Sequence, residues 1–281
     1  MTKIIFTDLD GTLLDRETYS WEAASPALGW LKEHGVPWVM VTSKTQAEVR
    51  HWRRILGNVH PFVVENGGAI FMPRHYFKGT ISGAARRDGC EVIERGKPYA
   101  EVVLGLAVAS RASGCRLRTF HEMTARDVAA ACHLPLDLAV LAKQREYDEA
   151  FQPLDAERAG ELEAAILAQG LQCIRGDRFH HACGHRGKAD AVRQLVTLFR
   201  RLHAQVNTIG LGDSFNDVAL LQTVDVPVIV RSRDVSVLLQ RIPNALVTDR
   251  EGPEGWNEAV LDIFRNHDKV AGSANSVSLR T

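Results

Sequence analysis

Short apolar runs alternate with amphipathic stretches along much of this chain. Ile4, Ile5 and Phe6, extended by Leu9, form a run too brief for a buried helix, and Gly11 closes it with a tight turn. Such a run reads as a strand buried on both faces. Residues 20–34 place Trp21, Ala24, Leu28 and Leu31 at helical spacing, and Gly35 supplies the stop. A second apolar run at 36–41 delivers Thr42 and Ser43 to its end. Residues 46–56 continue as a helix, opened by Thr45 with Glu48 three positions on, a capping box. A strand over 61–64 turns through Glu65-Asn66-Gly67-Gly68, where paired glycines permit positive φ, and runs back over 69–72. Strand and helix in alternation predict an α/β fold with a parallel, doubly wound sheet.

The pattern changes between residues 84 and 184. Strands are expected at 101–106, 116–120, 145–152, 171–175 and 178–183, with helices at 126–131, 136–144 and 155–169. This α+β module interrupts the first fold, because the earlier pattern then resumes. A helix runs from Lys188 to Leu202, strands follow at 206–210 and 226–230, and a last helix ends near residue 267. The predicted organisation is therefore a Rossmann-like core of residues 1–83 and 185–267, an inserted cap of 84–184, and a mobile tail at 268–281.

Composition narrows the possibilities only a little. The 281 residues hold 34 basic and 34 acidic side chains, so net charge points to neither nucleic acid nor an anionic membrane surface. No stretch reaches membrane-spanning length, and the start lacks a long apolar signal region. Cys90, Cys115, Cys132, Cys173 and Cys183 are scattered without a CxxC pair, which suits reduced thiols in a cytoplasmic protein.

The candidate chemistry collects at the strand ends. Asp8 and Asp10 stand two residues apart after the first strand, where an open α/β sheet binds its ligands. Acids so close repel unless a cation or proton lies between them, and a hard divalent ion such as Mg²⁺ is the natural partner. Lys188 opens a helix, an electrostatic misfit that a nearby anion would offset. Asp213 and Asp217 are four apart at another helix start, with Asn216 between them. In the cap, Arg145 and Arg178 are candidates to grip a carboxylate or sugar, since a guanidinium binds such groups bidentately. His180 and His181 are adjacent on a strand and point to opposite faces, which argues against joint metal ligation and for packed or hydrogen-bonded roles.

The order apolar run, DxDGT, apolar pair closely resembles the first motif of the haloacid dehalogenase (HAD) phosphotransferases, and the other three motifs follow in order. That resemblance implies Asp8 as nucleophile, Asp10 as general acid/base, Thr42 as the phosphate-binding hydroxyl with Ser43 its close competitor, and Lys188 as the steadying cation. It further implies Mg²⁺ held by Asp8, the Asp10 carbonyl and Asp213, with Asn216 and Asp217 behind them. The insert after ENGG matches the subfamily with a large α/β cap, which acts on phosphorylated sugars and related small molecules. SKTQAEV, VVENGGAIF, REYDEAF, GDRFHHACG and GPEGW resemble a branch whose substrate is a small phosphorylated sugar-glycerate. The one departure is Ala150, where that branch leads one to expect proline. Lys44, Glu65, Asn66, Arg145 and Arg178 are then the expected contacts to glycerate and hexose. Other sugar-phosphate phosphatases, a phosphomannomutase and a catalytically silent binding module are the competing readings.

Overall fold

Ile4, Ile5 and Phe6 are wholly buried because their strand lies inside a sheet covered on both faces. The computed structural model describes residues 1–176, 178–184 and 187–274, with side chains to 264. In chain order, β1 (Thr2–Thr7), α1 (Ser25–Glu33), β2 (Trp38–Val41), α2 (Gln46–Ile55), β3 (Phe62–Val64) and β4 (Ala69–Pro73) come first. Then follow β5 (Ala85–Arg87), β6 (Cys90–Glu94), α3 (Tyr99–Ser113), β7 (Leu117–Thr119), α4 (Ala125–Cys132), α5 (Leu136–Ala142) and β8 (Asp148–Pro153). The chain continues through α6 (Ala159–Ala168), β9 (Gln172–Arg175), β10 (His180–Cys183), α7 (Lys188–Leu202), β11 (Val206–Gly212) and α8 (Val218–Leu221). It ends with β12 (Val226–Arg231), α9 (Val235–Arg241), β13 (Leu246–Glu251) and α10 (Gly252–Ala274).

The large sheet runs β13-β12-β11-β1-β2-β3-β4-β6-β5. It is parallel from β13 to β3 and antiparallel beyond. Ile4 and Phe6 pack with Val192, Leu195 and Phe199 of α7, while Ile5 faces the opposite cluster with Leu31, Trp256 and Val260. Both faces of β1 are therefore dry, which is why its sequence shows no polar alternation. Chain order reverses between β1 and β11, a topological switch point, and the ligand-binding crevice is expected beside it. Trp256, in GPEGW, donates its indole N–H to Thr7 Oγ1 at 3.0 Å and so fixes the end of β1. No helix among the described residues is long and apolar enough to cross a membrane.

The second sheet, β7-β8-β10-β9, is antiparallel. Phe151 and Ala182 on one face bury against Val102 and Leu106 of α3 and Leu162 and Ile166 of α6. The other face, carrying Asp148 and Ala150 of β8 opposite Cys183 and His181 of β10, turns toward the large sheet.

Three sequence expectations require correction. Residues 101–106 are helical, inside α3, because Val102, Leu106 and Ala109 recur at helical spacing and bury one stripe. The boundary at 84 falls too early, since β5 and β6 pair onto β4 and extend the large sheet. Helix α10 runs on to Ala274, past the expected end near 267, and the rest of the proposed tail, 275–281, lies outside the described residues. The strand β13 and helix α9 have no counterpart in the sequence reading, for Leu246–Glu251 is half charged and mostly exposed.

The cap joins the core through two chain crossings that lie side by side. In the first, the amides of Arg95 and Gly96 donate to the Gly68 carbonyl at 2.8 and 2.9 Å. In the second, Gly184 lies so close that a Cβ there would fall 2.4 Å from Lys97 Cγ. The Tyr147 ring is wedged between Gly68 and Gly96, where added Cβ atoms would stand 2.5 and 2.8 Å from its own Cβ. Nothing larger than glycine fits at either place.

Candidate active site

Asp8 follows β1 directly, and its carboxylate meets Lys188 Nζ at 3.0 Å. Lys188 is the first residue of α7, almost wholly buried, and also meets Asp217 at 2.7 Å. Burial opposes the ammonium, yet Asp217 and Asp8 together hold its pKa above the usual lysine value. Asp217 in turn accepts the backbone N–H groups of Asp213 and Ser214, each at 3.2 Å, so the loop after β11 is built around it. Thr12 Oγ1 donates to Asp213 at 2.8 Å, and Arg16 reaches its other oxygen at 3.1 Å. Gly11 makes this contact possible. Its φ is +74°, and a Cβ would fall 2.4 Å from Asp213 Oδ2.

Carboxylate oxygens of Asp8, Asp213 and Asp217 all lie within 4.8 Å of one another, and all three groups are buried. Burial and the neighbouring Asp217 push Asp8 up to about 7, although Lys188 opposes the shift. Burial, Asp217 and Asp8 likewise push Asp213 well above its ordinary value. Lys188 and Arg16 bring two positive charges against three carboxylates. The donor set is all hard oxygen, which fits a divalent cation of the Mg²⁺ class, with Asp8 and Asp213 as the carboxylates not tied to backbone amides.

Asp10 turns away from that cluster. Its side chain is 40% exposed and pairs with Lys44 Nζ at 2.9 Å. Lys44 also contacts Glu48 at 3.4 Å and lies 5.0 Å from the centre of the Tyr19 ring. The Thr45–Glu48 capping box forms, and starts α2 just past the end of β2. Thr42 is buried with its hydroxyl accepting the Lys44 amide at 3.2 Å, whereas Ser43 lines the cavity above Asp8. Asn216 also lines that cavity and accepts the Ser214 hydroxyl at 2.7 Å.

The cavity lies between the strand ends and the cap. Its floor carries Asp8, Asp10, Arg16, Lys44 and Asp213, and its roof is the cap's apolar face, Phe120, Leu134, Ala142, Ala150 and Phe179. Arg145 and Arg178 line it as well, but each is already engaged. The Arg145 guanidinium grips Asp148 and donates to the Ser43 carbonyl at 3.0 Å, tying cap to core. Arg178 donates to the Arg16 carbonyl at 3.1 Å and to Glu17 at 2.7 Å.

Glu65 and Asn66, expected at the substrate, are instead absorbed into the core–cap junction. Both are fully buried, at positive φ, in the turn after β3. The Glu65 carboxylate accepts three successive cap amides, from Glu146, Tyr147 and Asp148, at 2.8–3.0 Å. Burial pushes the Glu65 carboxyl up to about 8, against the Arg145 guanidinium and the amides that favour its ionised form. Asn66 donates to Asp148 at 3.0 Å. Arg16 and Tyr19 line the cavity without belonging to any sequence signature, while Thr12 of DxDGT holds Asp213 and Glu48 of the capping box pairs with Lys44, roles the motifs alone did not assign.

Comparison with known proteins agrees with this geometry. A haloacid dehalogenase-like hydrolase family model matches residues 5–88. A "glucosyl-3-phosphoglycerate/mannosyl-3-phosphoglycerate phosphatase" of Methanococcoides burtonii is 39% identical over 275 residues, 96% of this chain and 100% of the relative. The chain belongs to this family of phosphatases. A second relative of the same name, from Persephonella marina, is 34% identical across 95% of this chain and 98% of its own length. Among solved structures, a phosphatase of the haloalkanoate (HAD) superfamily from Bacteroides thetaiotaomicron superposes with a TM-score of 0.66 at 18% identity, covering 94% of this chain and 96% of that one. The core-and-cap fold is thus shared well beyond recognisable sequence similarity.

Proposed function

We propose that this phosphatase removes the phosphate of 2-O-(α-mannosyl)-3-phosphoglycerate, and of its glucosyl counterpart, through an aspartyl-phosphate on Asp8. The observation that carries the chemistry is the convergence of Asp8, Lys188, Asp213 and Asp217 beneath a cavity roofed by the cap. The relatives' names supply the substrate class.

An Asp8 oxygen attacks phosphorus in line, and the ester P–O bond breaks. Asp10 donates a proton to the leaving glycerate oxygen, then takes one from the water that cleaves the aspartyl-phosphate, leaving inorganic phosphate and free Asp8. Lys44 orients Asp10 for both transfers. Lys188 holds Asp8 in place and offsets phosphoryl charge, aided by a hydroxyl at the end of β2, Thr42 by resemblance or Ser43 by its place on the cavity. A divalent ion such as Mg²⁺, held by Asp8, Asp213 and the Asp10 carbonyl, would supply further charge neutralisation at the phosphoryl oxygens. The cap excludes bulk water, and Arg178 and Lys44 give the cavity the cationic lining that an anionic glycerate requires.

Phosphate release from a panel of esters tests the reading: mannosyl- and glucosyl-3-phosphoglycerate, sucrose phosphate and trehalose phosphate. The glycerate esters should lead in kcat/KM, with release dependent on Mg²⁺. Preference for a disaccharide phosphate would overturn the substrate assignment. Phosphoryl exchange that needs a sugar bisphosphate and releases little phosphate would identify a mutase instead.

A further inference from the structure

We infer that His181, held in the cap by Asp148, is a specificity residue that hydrogen-bonds a sugar hydroxyl of the substrate. This inference rests on the functional reading above and deepens it.

The strand alternation sets the stage. His180 and His181 are neighbours on β10, and His180 faces the Phe151 ring at 5.6 Å, on the side packed against the cap helices. His181 therefore faces the other way, into the cavity. Its Nδ1 lies 3.2 Å from Asp148 Oδ2, on the neighbouring strand. Asp148 is fully buried, gripped by Arg145, and receives Asn66 from the turn after β3 at 3.0 Å. Burial alone would raise the Asp148 carboxyl, but Arg145 and His181 outweigh it and hold it below the usual carboxylate range. The Nδ1 edge of the ring thus lies against a carboxylate that Arg145 and Asn66 hold in place.

With Nδ1 turned toward that carboxylate, Nε2 is the ring's other polar atom. Two small residues leave space beside it. Ala150 is the direct cross-strand partner of His181 and lines the same cavity. Gly176, also on the cavity, offers no side chain, and a Cβ there would lie 3.5 Å from Nε2. Nε2 accepts from a hydroxyl as imidazole and donates to one as imidazolium, and a sugar hydroxyl satisfies either form. Phe179 and Phe120 flank this position with apolar surface suited to the face of a hexose ring. Besides His181, the polar cap side chains lining the cavity among the described residues are Arg145 and Arg178, both already paired with carboxylates. The departure at Ala150 from the expected proline thus falls beside the imidazole.

The test compares phosphate release from mannosyl-3-phosphoglycerate and from p-nitrophenyl phosphate, which lacks the sugar. In His181→Ala, KM for the glycosyl ester should rise about tenfold or more, as for one lost hydrogen bond of about 1.4 kcal/mol, while kcat/KM for p-nitrophenyl phosphate stays within about twofold. His181→Gln, which keeps a polar tip, should recover part of the loss. Equal losses on both esters, or an unchanged KM for the glycosyl ester, would overturn the inference. Should the alanine variant not fold, the glutamine variant decides by the same comparison. Wild-type enzyme inactive on both glycosyl esters overturns the functional reading itself, a result distinct from wild-type activity that His181→Ala leaves untouched.

Discussion

The Glu65 carboxylate receives the Tyr147 amide at 2.8 Å, a bond between the core's turn after β3 and a cap segment 82 residues further on. With the Glu146 and Asp148 amides beside it, this carboxyl group is the acceptor that organises the start of β8. Glu65→Gln should cost about 2 kcal/mol, because one of the two oxygens that accept these buried amides becomes an NH2 group facing N–H donors. That corresponds to roughly a 4–8 °C fall in melting temperature. Hydrolysis of a glycosyl ester, which depends on the cap, should suffer more than hydrolysis of p-nitrophenyl phosphate. A variant melting with wild type would show that these bonds do not hold the cap.

Asp8→Asn should abolish turnover, by about 10⁴-fold or more in kcat, while leaving the fold intact. The amide is nearly isosteric, and it removes one of three mutually repelling carboxylates. In chelator the variant should therefore melt no lower than wild type. Substantial phosphate release by Asp8→Asn would exclude the aspartyl-phosphate route.

The acid cluster also sets a pH dependence. Asp8 is held up to about 7 in the folded protein, against an ordinary value of 3.8 for a free aspartate. Between those values the folded state keeps a proton that the unfolded chain has released, so stability falls as pH rises through the window. The slope approaches roughly 1.4 kcal/mol per pH unit for one such group. Glu65, also raised, acts in the same direction. In chelator, melting temperature should decline from pH 5 to pH 7. Mg²⁺ favours the ionised carboxylates, so it should flatten this decline and add about 2.7 kcal/mol at a hundredfold excess over Kd. Identical slopes with and without the ion would remove the cluster from consideration as its site.

Gly11→Ala tests how tightly that site is built. The added methyl would strike Asp213 at 2.4 Å from a backbone at φ +74°. Displacing this carboxylate should weaken Mg²⁺ binding by about 10–100-fold, the range seen when groups supporting a metal ligand are lost. Titration of Mg²⁺ against thermal shift reads this directly, and an unchanged midpoint would refute it.

The residues that converge on Asp8 were legible in the sequence because each sits at the boundary of a strand or helix, where local pattern and chemistry coincide. Asp8 after β1, Lys188 at the start of α7 and Asp213 after β11 are all of this kind. The role of Glu65 was not legible, since its partners are backbone amides some 80 residues away that leave no mark on side-chain identity. Residues 101–106 misled because a short apolar run has no periodicity of its own to separate strand from helix. β5 was invisible for the opposite reason: Ala-Arg-Arg at a sheet edge shows no apolar signal, and its place comes from pairing with β6. His181 could be assigned a face from strand alternation, but only the fold reveals that this face looks into the cavity.

The paired crossings at Arg95–Gly96 and Gly184 make the cap separable in a practical sense. The chain departs and returns through one doorway, with Lys97 lying against Gly184. A few-residue bridge across that doorway would yield a lidless enzyme retaining Asp8, Asp10, Lys188 and Asp213, and other modules could be grafted there. Substrate range can thus diverge by exchanging a single contiguous cassette, leaving the phosphoryl chemistry beneath it unaltered.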